Sequence, residues 1–357
     1  MHKKVILKTK LNLAIACGIA TMGVATTVNA ADTRTFNVGG DVELDITGSQ
    51  DDAGNNFDHG GRIKIDVNGM VVNDNGHFVK GVAQPLVLFN PGDQNVLIEQ
   101  DTEDSVIDNS SATVDSNSLE VDDLYLQFGK TESWDIKIGR FEAANLLPLG
   151  KDTLVVNAGG VQVYDAGSAR GRIDDRLHAA LNISLGANLQ FELGIQANKS
   201  GDDEETAIRP VITYTIGAFK LHAGYENIEK SGVDDDNGIG SDIGEDGFGL
   251  GFGTKVFGGD LNLSVASLDD GNGTDVNTLA LNYTKGAFGI GYIHSGVHND
   301  NVPEDPTVDT LYAAYTMPLL SIEGASVTFA LSTSEADNVN GVDDSLQAAR
   351  VRFNYGF

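Results

Sequence analysis

The sequence predicts an all-β protein, a transmembrane antiparallel up-and-down β-barrel of about sixteen strands. Three observations predict this fold: apolar and polar residues alternate along most of the chain, short and long connections alternate between these segments, and the last strand ends the chain on Phe357. In such a barrel each strand turns one face to lipid and the other to a wet interior, so a period of two is expected.

The alternation begins with the first two strands. The first carries apolar residues on one face and acidic or amide residues on the other, and the second sets three aliphatic residues against basic and polar ones. The faces are Phe36, Val38, Val42, Leu44 and Ile46 against Asn37, Asp41, Glu43 and Asp45, and then Ile63, Ile65 and Val67 against Arg62, Lys64, Asp66 and Asn68. The polar faces suit a wet lumen better than the core of a sandwich.

The same pattern continues through the middle of the chain to its end. The seventh, ninth and last strands alternate in the same way, and residues 247–253 form a glycine-rich strand with a slim inner face. The predicted strands are residues 35–47, 60–71, 77–89, 119–128, 133–140, 172–184, 188–198, 207–215, 219–228, 247–256, 260–268, 276–284, 287–295, 308–317, 322–332 and 345–357. About ten residues, at about 3.3 Å each and tilted, cross a hydrocarbon band of about 25 Å.

The connections alternate in length along the chain. Short turns are predicted at residues 73–76, 129–130, 186–187, 217–218, 258–259, 285–286 and around Pro318. Long loops are predicted at residues 48–59, 90–118, 141–171, 199–206, 229–246, 269–275, 296–307 and 333–344. Short periplasmic turns and long extracellular loops are typical of outer-membrane barrels, so both termini are expected on the periplasmic side.

The N-terminus predicts export. Four lysines precede an apolar stretch, and Val28-Asn29-Ala30 forms a small-x-small cleavage site, so residues 1–30 are interpreted as a signal peptide and residues 31–357 as one barrel domain. The whole chain has 23 basic and 52 acidic residues, a formal net charge of −29. Such acidity excludes nucleic acid as a partner and indicates either solubility or a preference for cations.

The chain shows no pattern typical of a catalytic or cofactor site. The glycine-rich segment lies on a strand without the following helix that phosphate binding requires. The seven histidines have no metal-ligand or catalytic-triad spacing. We therefore predict neither an enzyme nor a cofactor.

The segment from Asp122 to Arg176 carries a family resemblance. It contains Leu124-Tyr125-Leu126-Gln127-Phe128-Gly129, a Gly139-Arg140 strand end, a long loop, and Arg170-Gly171-Arg172-Ile173-Asp174-Asp175-Arg176. Together with the terminal aromatic residue, this resembles the trimeric porins of Gram-negative outer membranes. The segment Gly139-Arg140-Phe141-Glu142 and the following Leu146–Asp152 look more similar to the raffinose-type glycoporins, and the Pro-Glu-Phe-Gly-Gly-Asp motif of general porins is absent.

The resemblance implies a pore constriction. In that family the third loop folds into the barrel and its carboxylates face basic residues on the wall. Carried over by position, the candidates are Arg62, Lys64, Arg140, Glu142, Asp152, Asp165, Arg170, Arg172, Arg176, Arg350 and Arg352. Arg140 is the exception to strict alternation, because it follows Ile136 and Ile138 in phase and would face lipid unless Gly139 resets the register.

These observations predict a porin in the Gram-negative outer membrane that passes small hydrophilic solutes, with sugars or oligosaccharides as the first expectation. A general, cation-preferring porin is the alternative, and a non-conducting structural or adhesin barrel is a third. The expected partners are lipid, lipopolysaccharide, two further copies in a homotrimer, and the outer-membrane assembly machinery acting through Phe357. The inward aromatic residues expected from the alternation are few: Tyr125, Phe78, Phe141 and Tyr164.

Overall fold

The computed structural model describes residues 32–51, 54–89, 119–173, 176–200, 203–234, 240–299, 304–339 and 341–357. They form a closed antiparallel barrel in which each strand pairs with its neighbours in sequence and β1 pairs with β16. The strands are β1 Thr33–Asp51, β2 Gly54–Val72, β3 His77–Phe89, β4 Leu119–Lys130, β5 Trp134–Arg140, β6 Leu177–Leu185, β7 Leu189–Ser200, β8 Asp203–Ile216, β9 Phe219–Asp234, β10 Gly240–Val256, β11 Gly259–Asp269, β12 Thr274–Lys285, β13 Phe288–Asn299, β14 Thr307–Pro318, β15 Ala325–Val339 and β16 Val342–Gly356. The predicted fold class is confirmed.

The alternation in the sequence places side chains on opposite sides of this wall. On β12, Val276 and Thr278 are buried inside the barrel, whereas Leu279 and Leu281 are exposed on the outer face. Exposed aliphatic and aromatic side chains recur on the outer face of nearly every strand. A continuous apolar outer surface is stable in lipid, where strands satisfy their backbone hydrogen bonds with one another.

The chain terminus closes the barrel. The backbone N–H of Gly40 donates to the carbonyl of Phe357 at 3.0 Å, and the N–H of Phe357 donates back to Gly40 at 2.9 Å. A Cβ on Gly40 would lie 2.4 Å from the carbonyl oxygen of Lys64 and 2.9 Å from the Phe357 ring, so only glycine fits there. Val42, Leu44 and Ile46 then pair with Tyr355, Phe353 and Val351 along the seam.

Several predicted loops are wrong because the strands continue through them. Residues 48–59, 199–206, 229–246 and 333–344 are mostly hairpin extensions of the strands that flank them. Strand pairing there continues although the alternation of hydrophobicity stops, because both faces of a strand above the hydrocarbon band meet water. Hydrophobicity therefore indicates where a strand leaves the lipid and not where it ends.

Two further predictions fall outside the described residues. These are the signal peptide at residues 1–30 and the long loop 90–118. Among the described residues the one helix is a single 3₁₀ turn, Ala158–Gly160, and no helix is long and apolar enough to cross a membrane.

Candidate functional site

The segment between β5 and β6 lies inside the barrel. Its apolar side chains are almost fully buried against the inner wall, with Phe141, Leu149 and Val156 each 1% exposed. They pack in five clusters with inward residues of β8 to β16, among them Val211, Val276, Ile293, Tyr312, Ala330 and Ala348. We call residues 141–171 the inner loop.

Small polar residues on the wall satisfy the backbone of the inner loop. The N–H groups of Val156 and Ala158 donate to the hydroxyls of Ser332 and Ser334 at 3.3 and 2.9 Å. The N–H of Tyr164 donates to the hydroxyl of Thr278 at 3.0 Å. Because a buried backbone group without a partner is costly, these inward hydroxyls stabilise the loop at these points of contact with the wall.

A buried ion pair holds the two ends of the inner loop. Arg209 on β8 and Glu226 on β9 are each 1% exposed, and the Arg209 Nε lies 3.6 Å from the Glu226 Oε2. The Arg209 Nη2 donates to the carbonyls of Ala144 and Ala166 at 2.8 and 2.9 Å. Glu226 in turn accepts from the N–H of Ala169 at 2.9 Å. The pair therefore clamps both ends of the loop to the same place on the wall.

Tyr164 adds a hydroxyl to this clamp, donating it to Glu226. Burial, and next the neighbouring Glu226 carboxylate, raise the pKa of Tyr164, so its hydroxyl remains a donor across the physiological pH range. Two histidine rings on the wall also contact the inner loop, at its backbone carbonyl groups. The rings of His178 and His222 lie 3.1 Å from the carbonyl oxygens of Phe141 and Leu146.

Three of the four expected inward aromatic residues, Tyr125, Phe141 and Tyr164, pack against other side chains at the inner loop. Phe141 stacks on His178 at 4.0 Å between ring centroids, and Tyr164 is buried in the clamp. Lys137 lies over the rings of Tyr125 and Phe141 at 5.5 and 5.4 Å. These rings therefore pack the base of the inner loop against the wall.

The tip of the inner loop is bound to β16 and β1. Arg350 donates to the Asp152 carboxylate at 2.7 Å and to the carbonyl of Thr153 at 2.9 Å. Arg352 donates to Asp152 at 3.1 Å and donates two hydrogen bonds, of 2.8 and 2.7 Å, to the Asp45 carboxylate. Both arginines face inward as predicted, but each is 3% exposed because the loop covers them.

The charges continue from β1 onto β2. The Arg62 Nε lies 2.8 Å from the Glu43 Oε2, and the Arg62 Nη2 lies 3.6 Å from Asp41. Lys64 lies 3.7 Å from Asp122 on β4. The inner faces of β1, β2 and β4 thus carry acidic and basic side chains in contact with each other, so the wall is mixed in sign and not purely basic.

A second cluster of charged residues closes the neck of the inner loop, where residues 142–143 meet residues 170–172. Arg170 donates to Glu142 at 3.0 Å, and the N–H of Ala143 donates to the carbonyl of Arg170 at 2.8 Å. Arg172 reaches Asp122 at 3.1 Å and Asp123 at 2.9 Å. Burial, and next the charge of Arg62, lower the pKa of Arg172 to about 10, so it stays charged at neutral pH.

Asp122 and Asp123 were missed by the sequence reasoning. Strict alternation allows only one of two adjacent residues to face inward, but the register of β3 against β4 shifts between Ala83 and Pro85, and this bulge turns both carboxylates toward Arg172. The sequence signal was the presence of two adjacent aspartates, because strict alternation would place one of them in the lipid band, where an Asp is costly. Arg209 and Glu226 were missed too, although their alternation phase is inward.

Arg140 follows an irregular backbone at Gly139, although the pairing of β4 with β5 continues through both residues without a register shift. Gly139 has a φ of 136°, which L side chains rarely adopt, and a Cβ there would lie 2.2 Å from the carbonyl oxygen of Leu124. After this irregularity the Arg140 Nε donates to the carbonyls of Val121 and Asp122 at 2.7 and 3.0 Å. Arg140 is therefore tied to the backbone of β4.

Two predicted residues lie apart from the charge clusters. Arg176 makes a two-pronged pair with Glu205 on β8, with contacts of 2.8 Å. Asp165 folds back over its own loop, where a Cβ on Gly167 would lie 2.6 Å from its carboxylate. The other nine candidates lie in or beside the charge clusters described above, whereas these two lie elsewhere.

Arg172 and Arg176 make a matched pair of substitutions. Arg172→Ala should shift the reversal potential under a salt gradient toward cation selectivity, because it exposes Asp122 and Asp123 to the lumen. One unit charge at 4 Å in water changes the energy of a permeating ion by about 1 kcal/mol, or roughly fivefold in local concentration. Arg176→Ala should change selectivity much less, since its partner lies in the β7–β8 hairpin. Equal shifts in both variants would contradict the assignment of Arg172.

A sixteen-stranded transmembrane barrel with a charged interior and a loop held inside it defines the class of outer-membrane channel proteins. The family model described as porin-like glycoporin RafY matches residues 25–357. The chain therefore belongs to this porin family, and it is an outer-membrane protein that crosses the membrane many times.

Solved structures agree with the fold. The outer-membrane protein OmpT of Vibrio cholerae aligns with a TM-score of 0.58 at 13% identity, covering 93% of this chain and 100% of that one. Its loop L8 deletion mutant aligns with a TM-score of 0.57 at 12% identity, covering 91% and 99%. An in-vitro folded trimer form gives 0.53 at 13% identity, covering 90% and 100%. No curated protein sequence matches this chain.

Proposed function

We propose that the protein forms a water-filled channel whose width and charge selectivity are set by the inner loop, residues 141–171. The observation that supports this proposal is the fixation of the loop along the inside of the wall, from the Arg209–Glu226 clamp to the Arg350–Asp152 contact. Because the loop is bound at both ends and along its length, it narrows the lumen permanently. Solutes would cross by diffusion, without a cofactor or a chemical step.

We further propose sugars or oligosaccharides as the preferred solutes. The name of the matching family, a glycoporin, supports this. A general cation-preferring porin is the alternative, and it is favoured by the net charge of −29. A channel with no enzymatic activity fits both.

The proposal includes partners. A homotrimer is supported by the trimer form of a structural relative, and lipid and lipopolysaccharide contacts by the apolar outer wall. Recognition of Phe357 by the outer-membrane assembly machinery is part of the same proposal; in the finished barrel its ring is 60% exposed at the seam.

Planar-bilayer recording tests the channel. The purified protein should give discrete conductance steps in multiples of three, and a silent protein would show a structural or adhesive barrel instead. Liposome swelling with sugars of graded size then separates the two channel types. A glycoporin should admit a trisaccharide faster than an uncharged polyol of the same hydrodynamic size, whereas a general pore should admit both at the same rate.

A further inference from the structure

Two of the short turns at the end of the barrel that holds the chain termini have large apolar side chains at their tips. Phe257 lies between β10 and β11 and is 88% exposed, and Leu320 lies between β14 and β15 and is 82% exposed. The other five short turns of the described chain carry polar or small residues: Asn73–Gly76, Thr131–Ser133, Gly186–Asn188, Gly217–Ala218 and Gly286–Ala287.

Both apolar residues occupy the same unfavourable backbone conformation. Phe257 and Gly258 have φ values of 50° and 78° and separate the paired residues Val256 and Gly259. Leu320 and Ser321 have φ values of 52° and 58°, and the N–H of Ile322 donates to the carbonyl of Leu319 at 3.0 Å. Positive φ at both central residues defines a type I′ turn, whose first central position favours Asn, Asp or Gly.

In water alone, such a residue would cost each turn free energy without a compensating gain. A bulky side chain at positive φ is strained, and its apolar surface gains nothing while it remains hydrated. Asparagine would relieve both costs at once. The presence of Phe and Leu at two equivalent positions therefore indicates an apolar environment beyond the barrel itself.

Apolar residues of the outer wall lie beside both turns. Beside the first turn, the hydroxyl of Tyr283 donates to the carbonyl of Val256 at 3.2 Å, and its ring lies against Gly259 on the outer face. Beside the second, Tyr315 and Met317 on β14 are exposed on the outer face, and Ile322 in the turn is 52% exposed. Because the outer wall is the lipid-facing surface, the tips extend an interface that the barrel already has.

We propose that Phe257 and Leu320 bind the phospholipid leaflet and anchor this side of the barrel in the headgroup region. The apolar tips enter the boundary between headgroups and acyl chains, where aromatic and aliphatic side chains with nearby polar backbone are favoured. The polar turn Asn73–Gly76, which joins β2 and β3, remains in water.

Tryptophan fluorescence tests this, because Trp134 is the only tryptophan of the chain. In a Trp134→Phe background, Phe257→Trp and Leu320→Trp each place one probe in one turn of the full-length mature protein, and Asp74→Trp places a control probe in the polar turn. The proteins are reconstituted into phosphatidylcholine vesicles with or without brominated acyl chains. No other protein is present, so quenching by bromine reports contact with lipid.

We expect the probes at positions 257 and 320 to lose about half of their fluorescence or more in brominated vesicles, with blue-shifted emission, as residues at the membrane interface do. The probe at position 74 should keep its fluorescence there and be quenched by aqueous acrylamide. If the probes at 257 and 320 behave like the one at 74, the tips lie in water and the proposal is wrong. The two turns are separate, so a folding defect in one variant leaves the other as a test.

Discussion

Replacing Glu226 with alanine should release the second half of the inner loop from the wall. The substitution removes the acceptor of Tyr164 and Ala169 and leaves the buried Arg209 guanidinium with Glu192, 3.7 Å from its Nη1, as its carboxylate neighbour. Removing one partner of a buried ion pair typically costs about 3–5 kcal/mol. In a barrel whose strands remain paired, this cost is relieved locally by detachment of the loop. We expect single-channel recordings to change from steady steps to rapid flicker between several levels.

Two controls separate the effect of the charge at position 226 from the effect of a substitution elsewhere on β9. Glu226→Gln keeps the size and one acceptor oxygen but loses the charge, so its flicker should be weaker than that of Glu226→Ala. Glu229→Gln makes the same change on the outer face of β9 and should leave the recordings unaltered. Steady, wild-type steps from Glu226→Ala would show that the clamp does not hold the loop.

Replacing Arg350 and Arg352 together with alanine should give the second large effect, a wider and strongly cation-selective channel. The double substitution removes the donors to Asp152, Thr153 and Asp45, so the loop tip loses its contact with β16. Three carboxylates, those of Glu43, Asp45 and Asp152, then lose a cationic neighbour. At about 1 kcal/mol for each unit charge at 4 Å in water, cation permeability should rise by about an order of magnitude.

The measurement is the reversal potential under a salt gradient together with the single-channel conductance. Lys255→Ala is the matched control, because it also removes a cation but from an exposed pair with Asp260 beside the β10–β11 turn. Lys255→Ala should leave conductance and selectivity close to wild type. An Arg350/Arg352 double variant with unchanged conductance would show that the tip is held by its apolar contacts alone.

Much of the wall could be predicted from the sequence. The alternation of Val351 and Phe353 with Arg350 and Arg352 depends only on the geometry of a strand between lipid and water, and each strand repeats it independently. The strand order follows from the short turns, because antiparallel neighbours need only a few connecting residues. The hairpin extensions could not be predicted in the same way, since the contrast between the two faces disappears above the membrane.

The site was harder to predict because its contacts join residues far apart in the chain. Arg350 and Asp152 were both candidates. Only the fold shows that the inner loop, which contains Asp152, covers Arg350 and pairs the two side chains. Arg209 and Glu226 meet because β8 and β9 are neighbours and the loop returns across them. Asp122 and Asp123 both face inward because of one bulge. These features depend on register and on the path of one loop.

By itself, the sequence determined that the chain forms a barrel in a membrane, which face of each strand meets lipid, and that its interior is charged. The reason is that lipid selects side chains residue by residue along a strand, and this selection is visible in one dimension. The tertiary structure alone decided how the charges are paired and where the inner loop lies. Those depend on packing among distant segments, where the partner of each buried group is chosen by the path of the whole chain.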